Sequence, residues 1–398
     1  MKYLAILVFF LQAFFPLSFS QTGNAKFSRL TSNDGLSQNT VTAILKDYKG
    51  FMWFATSGGL NKYDGYRFTV YRHDQEKPAS LSDDNVTVVK EDDAGNLWVG
   101  TRSGLDKLDR KKDEFVHYLP DLGKVNDIFQ DSKKRIWVGT INGFYLLDKF
   151  GKIFRTYQHN TNDLNSLSDN YVSRITEDNQ GDLWIGTKKG LNRFNPAAQH
   201  FSCYQNNPAV KESVGADWIR TVYKDTRGNI WAGTLGGGVA LYDRTKNSFI
   251  NFRHDPKNSN SICLDDILSF CEDGNGHLWI GTENGGISVF NYLAKTFLNY
   301  KNDANNQHSI GNNSIYSIYK DDHNNMWVGT YAEGVNFLPI NGEKFTYYGS
   351  NLSNLNSLND QNILAICGDK YGNTWLGTDG GGLNRFNEKT QTFTHYMN

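Results

Sequence analysis

Cysteine, proline, net charge and long apolar runs are all scarce in this chain, and each shortage removes a class of protein. Only four cysteines occur in 398 residues. Cys203, Cys263, Cys271 and Cys367 show neither CxxC spacing nor a disulfide framework, so a zinc ribbon or a stapled mini-domain is excluded. Cys271 and Cys367 hold equivalent positions in a repeat described below, and the expectation is buried free thiols with no metal. Seven prolines are too few for an extended Pro-rich chain. The formal net charge of −1 gives no global field to steer the protein onto nucleic acid or an anionic membrane, so no nucleic-acid partner is expected. Beyond the N-terminus no stretch approaches the roughly 18 apolar residues of a spanning helix.

The N-terminus reads as an export signal over residues 1–20. Lys2 supplies the positive start, Leu4 to Phe15 is almost wholly apolar, and Ser18-Phe19-Ser20 offers a small-x-small cleavage site before Gln21. An uncleaved anchor is the alternative. No cysteine follows the apolar run, which argues against a lipid anchor. The mature protein is expected in the periplasm.

What is abundant is aromatic residues, 14% of the chain, and glycine, 38 residues. That composition suits many short strands joined by tight turns. Eight of nine tryptophans, Trp53, Trp98, Trp137, Trp184, Trp231, Trp279, Trp327 and Trp375, recur at intervals of 39 to 48 residues. A period in the forties with an aromatic signature marks propeller blades. The internal grammar is clear from Val172 to Tyr204. A V-x-x-I strand ends at Asp178, and a turn with Gly181 follows. Next come the L-W-I-G-T strand Leu183 to Thr187, a third strand Leu191 to Phe194, and the F-x-x-Y strand Phe201 to Tyr204. Four antiparallel strands per repeat are too short and one-sided to stand alone. Radial stacking, with each Trp against the neighbouring sheet, buries them. The fold class is therefore all-β, a β-propeller of four-stranded blades.

The Asp before the turn is present in all eight repeats, from Asp47 to Asp369. A calcium ligand is one reading, since Asp273-Gly274-Asn275 looks loosely like the start of a calcium loop. The stronger reading is a turn residue that accepts backbone amides, with the Gly three residues on supplying positive φ and Asn324 or Lys134 substituting for it. The Thr after the Trp strand, from Thr56 to Thr378, also recurs eight times and reads as structural rather than nucleophilic.

The fourth-strand pattern recurs at Phe68, Phe115, Phe154, Phe201, Phe249, Phe297, Phe345 and Phe393, and a ninth copy, Phe27-Ser28-Arg29-Leu30, precedes the first repeat. An extra N-terminal outer strand is what a ring needs to zip its first and last blades. Seven blades over residues 21–349 with an eighth repeat over 350–398 satisfy the pattern. A single eight-bladed ring is the alternative.

Gly181-Asp182-Leu183-Trp184-Ile185-Gly186-Thr187 and Gly380-Gly381-Gly382-Leu383-Asn384-Arg385-Phe386-Asn387 resemble the two-component regulator propeller repeat. So does Gly35-Leu36-Ser37-Gln38-Asn39 with Asp47, Gly50, Trp53 to Thr56 and Gly59 to Gly65. The resemblance runs through essentially the whole mature chain. It implies the periplasmic sensor half of a Bacteroidetes hybrid two-component system. There two seven-bladed propellers precede a β-sandwich, a membrane helix, a histidine kinase and often a response regulator, and oligosaccharides are the usual signal. No sandwich, membrane helix or kinase is legible in this sequence. The resemblance thus makes 350–398 the start of a second, truncated propeller, whose missing remainder, membrane helix and histidine kinase would be partners, with a homodimer in the full-length context.

Loops on a rigid scaffold are where function concentrates. The turn after the second strand is one residue longer in repeats five to eight, as in Leu235-Gly236-Gly237-Gly238 and Tyr331-Ala332-Glu333-Gly334. It should share a face with the N-S-L-S-D-N connections, such as Asn165 to Asn170, that lead into the innermost strands. The ninth tryptophan, Trp218, falls in that connection, where other repeats have Tyr171, Asp266 or Ser314. An aromatic ring there can stack on the apolar face of a sugar. Innermost strands also vary where they should line the channel, at Asn126, Asp127, Arg174, Arg220 and Tyr316. Trp218, Arg220, Arg174, Tyr316, Tyr331 and Glu333 are the expected ligand-binding residues, for an oligosaccharide or other small ligand. The competing reading has Trp218 merely plugging the ring.

No catalytic constellation stands out. The turn at Asp369 to Trp375 is superficially like a sialidase Asp-box, but its spacing differs by one residue and no arginine cluster accompanies it. His73, His159 and His254 lie beside fourth strands, where blade edges face solvent. No enzyme, cofactor or metal is expected. A protein-binding propeller is the remaining class.

Overall fold

Eight four-stranded antiparallel sheets follow one another along the chain in the computed structural model, which describes residues 25–118, 122–148, 151–339, 348–350 and 356–396. The export signal over 1–20 and the strand expected at Phe345 lie outside the described residues. Blade four shows the local rules. Its strands are Val172–Glu177, Leu183–Thr187, Gly190–Asn195 and His200–Tyr204, close to the limits expected from the pattern. A register shift between Val172 and Arg174 kinks the innermost strand.

The repeated Asp is the centre of each turn. Asp178 Oδ1 accepts the amides of Gln180 and Asp182, and Oδ2 accepts the Trp184 indole at 3.0 Å. The same indole bond occurs in all eight repeats, at 2.8 to 3.0 Å. The carboxylate thus satisfies the turn and the buried Trp at once, which no calcium ion is needed to do. Lys134 takes the Gly position of its turn with φ of 63°, a left-handed conformation the backbone amide bonds of Asp131 hold in place. The repeated Thr is structural as read: Thr187 Oγ1 donates to Gly190 O, and every repeat has the equivalent bond.

Burial runs between blades rather than within them. Trp137 of blade three packs with Val172, Leu183, Phe194 and Phe201 of blade four. Trp184 packs with Ile219, Val222 and Phe249 of blade five. Gly186 makes this approach feasible, because a Cβ there would sit 2.9 Å from Ile219 Cγ2. Of the histidines after fourth strands, His73 is exposed and His159 and His254 are half-buried, and each also makes a fixed contact. The Nδ1 atoms of His73, His159 and His254 each lie 2.7 Å from a backbone carbonyl, of Leu81, Leu167 and Ile262, tying the strand end to the following connection. The cysteines are free, but only Cys263 and, in part, Cys271 are buried, whereas Cys203 and Cys367 are exposed.

The chain divides into two units, Met1–Ile340 and Asn341–Asn398. In the first, the innermost strands Val41–Lys46, Val86–Glu91, Val125–Gln130, Val172–Glu177, Ile219–Lys224, Ile267–Glu272 and Ile315–Lys320 touch in cyclic order, the last returning to the first. Ser28–Leu30 pairs with Val335–Leu338 and supplies the outer strand of blade seven. Phe27 takes the fourth-strand aromatic position, buried with Trp279 and Ile310, and Trp327 meets Phe54 of blade one at 6.0 Å. The ring therefore closes on seven blades, and the eight-bladed alternative is ruled out.

The eighth repeat folds as a sheet in the second unit, Ile363–Gly368, Asn373–Thr378, Leu383–Asn387 and Thr392–Tyr396. Tyr348 packs on Phe386 and Phe393 and donates to Gln391 Oε1. Tyr157 meets Phe194, Phe201 and Gln199 of blade four in the same way. Leu364 and Ile366 of the innermost strand are exposed.

Candidate ligand site at the channel mouth

The seven innermost strands line a channel along the ring axis, and the side chains at its walls are set by the kink in each strand. At six of the seven junctions a side chain there donates to a backbone carbonyl of the next blade. These are Thr42 to Val86, Thr87 to Val125, Asn126 to Val172, Ser173 to Ile219, Ser269 to Ile315 and Ser317 to Val41. Between blades five and six the link is instead an ion pair, Arg220 Nη1 to Glu283 Oε2 at 2.5 Å. The channel wall is thus rigid and polar.

The turns after the second strands and the connections into the innermost strands share one face, as expected. Leu235 N donates to Trp218 O, and Tyr331 N to Ser314 O. On that face a cavity of about 510 Å³ opens over the axis. Its walls include Trp218, Arg220, Arg174, Tyr316 and Tyr331, five of the six residues expected from the sequence. These come from blades four, five and seven, so the ring converges them. Trp218 does not plug the channel; it stands at the wall, edge-on to Tyr171 with ring centroids 6.4 Å apart. Tyr316 and Tyr331, both of blade seven, stand side by side in the wall with ring centroids 5.7 Å apart.

Glu333 does not belong to this cavity. Its amide donates to Thr330 Oγ1 and its carboxylate lies 4.0 Å from Arg29 on the N-terminal strand. The turn directs Tyr331 to the axis, and two residues later the chain has already curled back toward the third strand.

Lys124, Tyr171, Asn126 and Thr87 also line the cavity. Of these, Tyr171 could have been found as the counterpart of Trp218 in its own repeat. Lys124 carries no repeat signal. Its ammonium has no hydrogen-bond or ion-pair partner among the described residues, and burial, with the cations Arg102 and Arg174 nearby, holds its pKa below the ordinary lysine range. Arg174 faces Asp127 at 3.2 Å, and Asp127 Oδ2 also accepts the amide of Ile175. Burial pushes the Asp127 carboxyl above the ordinary range despite those two partners. Lys188 stands 4.3 Å over the Tyr171 ring and 5.0 Å from that of Trp218.

The opposite mouth opens into a second cavity of about 530 Å³; Thr42, Arg174, Leu268 and Tyr316 line both. The three consecutive residues Asp321, Asp322 and His323 bring ligand-type atoms together, but Asp321 is already committed to its turn and to Trp327.

Seven segments of the chain, residues 35–58, 80–103, 118–142, 166–189, 261–284, 309–332 and 357–380, match the family model described as two component regulator propeller. The matched segments leave out the repeat that carries Trp218. A curated relative, histidine kinase P4 from Formosa agariphila, is 42% identical over 62 residues, which cover 16% of this chain and 4% of that protein. Among solved structures, the extracellular domain of a hybrid two component system from B. thetaiotaomicron superposes with a TM-score of 0.69 at 29% identity, covering 94% of this chain and 49% of that one. The chain thus spans about half the length of that domain. Virginiamycin B lyase from Staphylococcus aureus superposes with a TM-score of 0.58 at 16% identity, covering 79% of this chain and 99% of the lyase, which is a likeness of fold alone.

Proposed function

We propose that this chain, which belongs to the two component regulator propeller family, is the ligand-sensing propeller of an extracytoplasmic two-component sensor, and that it binds an oligosaccharide at the channel mouth. The observation that carries the reading is the cavity itself. Aromatic faces of Trp218, Tyr171 and Tyr331 stand beside fixed donors on Arg174, Arg220 and Asn126, within a volume that suits a few sugar rings. Sugars present apolar C–H faces and dense hydroxyls, and this wall offers partners for both.

Binding rather than turnover is the role proposed. The cavity wall contains neither a histidine nor a carboxylate, the groups that glycan hydrolysis and general acid–base work use. No helix among the described residues is long and apolar enough to cross a membrane. In this reading the protein acts in the periplasm, the second unit begins a further propeller, and a membrane helix and histidine kinase transmit the signal, with pairing of two copies as part of the switch.

The test is a thermal-shift screen of the chain against defined oligosaccharides. A glycan that binds the folded state raises Tm in proportion to the logarithm of its concentration above Kd. The expected result is a saturable rise with one glycan class and no new reducing ends on prolonged incubation. A flat panel sinks the oligosaccharide reading, and accumulating reducing ends sink the non-catalytic one.

A further inference from the structure

The charges at the cavity do not match a neutral sugar. Lys124, Arg174 and Arg220 line it, and no carboxylate does. The chain as a whole is close to neutral, with a net charge of −1, so this positive mouth is a local feature and not a reflection of composition. Arg220 is neutralised from outside the cavity by Glu283, and Arg174 is neutralised from beneath by Asp127. Lys124 has no counter-charge among the described residues. It stands half-buried on blade three, near Arg174 of blade four and the exposed guanidinium of Arg102, which has no ion pair among the described residues.

An ammonium taken partly out of water with only like charges around it is unfavourable for the empty protein. Folding gains nothing from it: no bond to the ring depends on its head group. A ligand anion placed between Lys124 and Arg174 removes that cost and adds charge-assisted hydrogen bonds. Trp218 and Tyr171 stand on the adjoining part of the same wall, so an anionic group at Lys124 leaves a ring free to stack on them.

We propose that the mouth selects an acidic oligosaccharide, one carrying a uronate or sulfate group, with Lys124 and Arg174 holding the anion and Trp218 the neighbouring ring. This rests on the oligosaccharide reading above and narrows it to a ligand class.

The experiment compares matched probes that differ only in charge. Oligogalacturonate is set against its methyl ester, and a carrageenan oligosaccharide against its desulfated form, by calorimetry on the chain, on Lys124→Gln and on Lys124→Arg. The expected result is that one charged probe binds and its neutral counterpart is about tenfold weaker or more. The preference should weaken with added salt, vanish in Lys124→Gln and persist in Lys124→Arg. Which pair responds distinguishes carboxylate from sulfate. Neutral probes that bind as well as the charged ones, in a manner Lys124→Gln leaves unchanged, overturn this inference and leave the oligosaccharide reading standing. Silence of all four probes overturns this inference, while the oligosaccharide reading falls only with a flat thermal-shift panel.

Discussion

The hydroxyl of Ser317 donates to the carbonyl of Val41 at 3.3 Å, joining residues 276 positions apart in the chain. Ser269 and Ile315 make the equivalent bond between blades six and seven, so blade seven meets blade one as consecutive blades meet. The N-terminal strand completes blade seven by pairing with Val335–Leu338, and its Phe27 is buried between blades six and seven.

Phe27→Ala is therefore expected to cost about 3–5 kcal/mol, the range for emptying a buried aromatic site. Removal of residues up to Leu30 should uncover the edge of Val335–Leu338 and promote aggregation. Urea denaturation and light scattering check the two effects.

Asp178→Ala leaves two turn amides and the buried Trp184 indole without their acceptor. A loss of about 3 kcal/mol or more is expected by denaturant titration. Because the carboxylates of these turns are occupied by N–H donors, a chelator should leave the Tm of the unaltered chain unchanged.

Trp218→Ala should weaken the bound oligosaccharide about tenfold or more, as for an aromatic anchor in a binding site, while Tm without ligand stays close to its original value. Glu333→Gln should leave affinity unchanged, because its carboxylate points to Arg29 and away from the cavity. Equal loss of affinity in both variants would falsify the assignment of the site.

Both ring nitrogens of His117 in blade two face acceptors at 2.7 Å, the carboxylate of buried Asp106 and the carbonyl of Pro78, so its protonated form donates to both. Partial burial lowers its pKa, but those acceptors outweigh it and raise the pKa above that of a free histidine. The folded state then holds its proton more tightly than the unfolded chain. The stabilisation is complete below the unfolded pKa of about 6.5 and is lost as the pH rises through the higher folded value. The Tm difference between the chain and His117→Ala should be largest in mild acid and shrink on the alkaline side.

The blade was legible because its rules are local. Asp178, Trp184 and Thr187 lie within ten residues of one another, and their recurrence predicts the strands and turns they build. The indole bond to Asp178 was not legible, since recurrence of two residues does not show that they touch. Trp218 could be singled out as a ninth tryptophan outside the period, and Tyr171 through its equivalent place. Lys124 could not, because its meaning depends on lacking a counter-charge, which is a property of the assembled wall. Glu333 was misassigned for a related reason: residues two apart in a turn point in different directions.

A repeat of period 39 to 48 with a tryptophan, an aspartate and a threonine at fixed offsets determined by itself that this protein is made of blades. Only the tertiary structure decided that the ring closes at seven, and that Arg174, Trp218, Lys124 and Tyr331 face one cavity. A periodic pattern fixes each neighbour contact and is indifferent to how many copies close a circle. Closure depends on the angle accumulated over the whole ring and on which end strand fills the last blade, and the convergence of distant side chains on the axis follows only once that circle is complete.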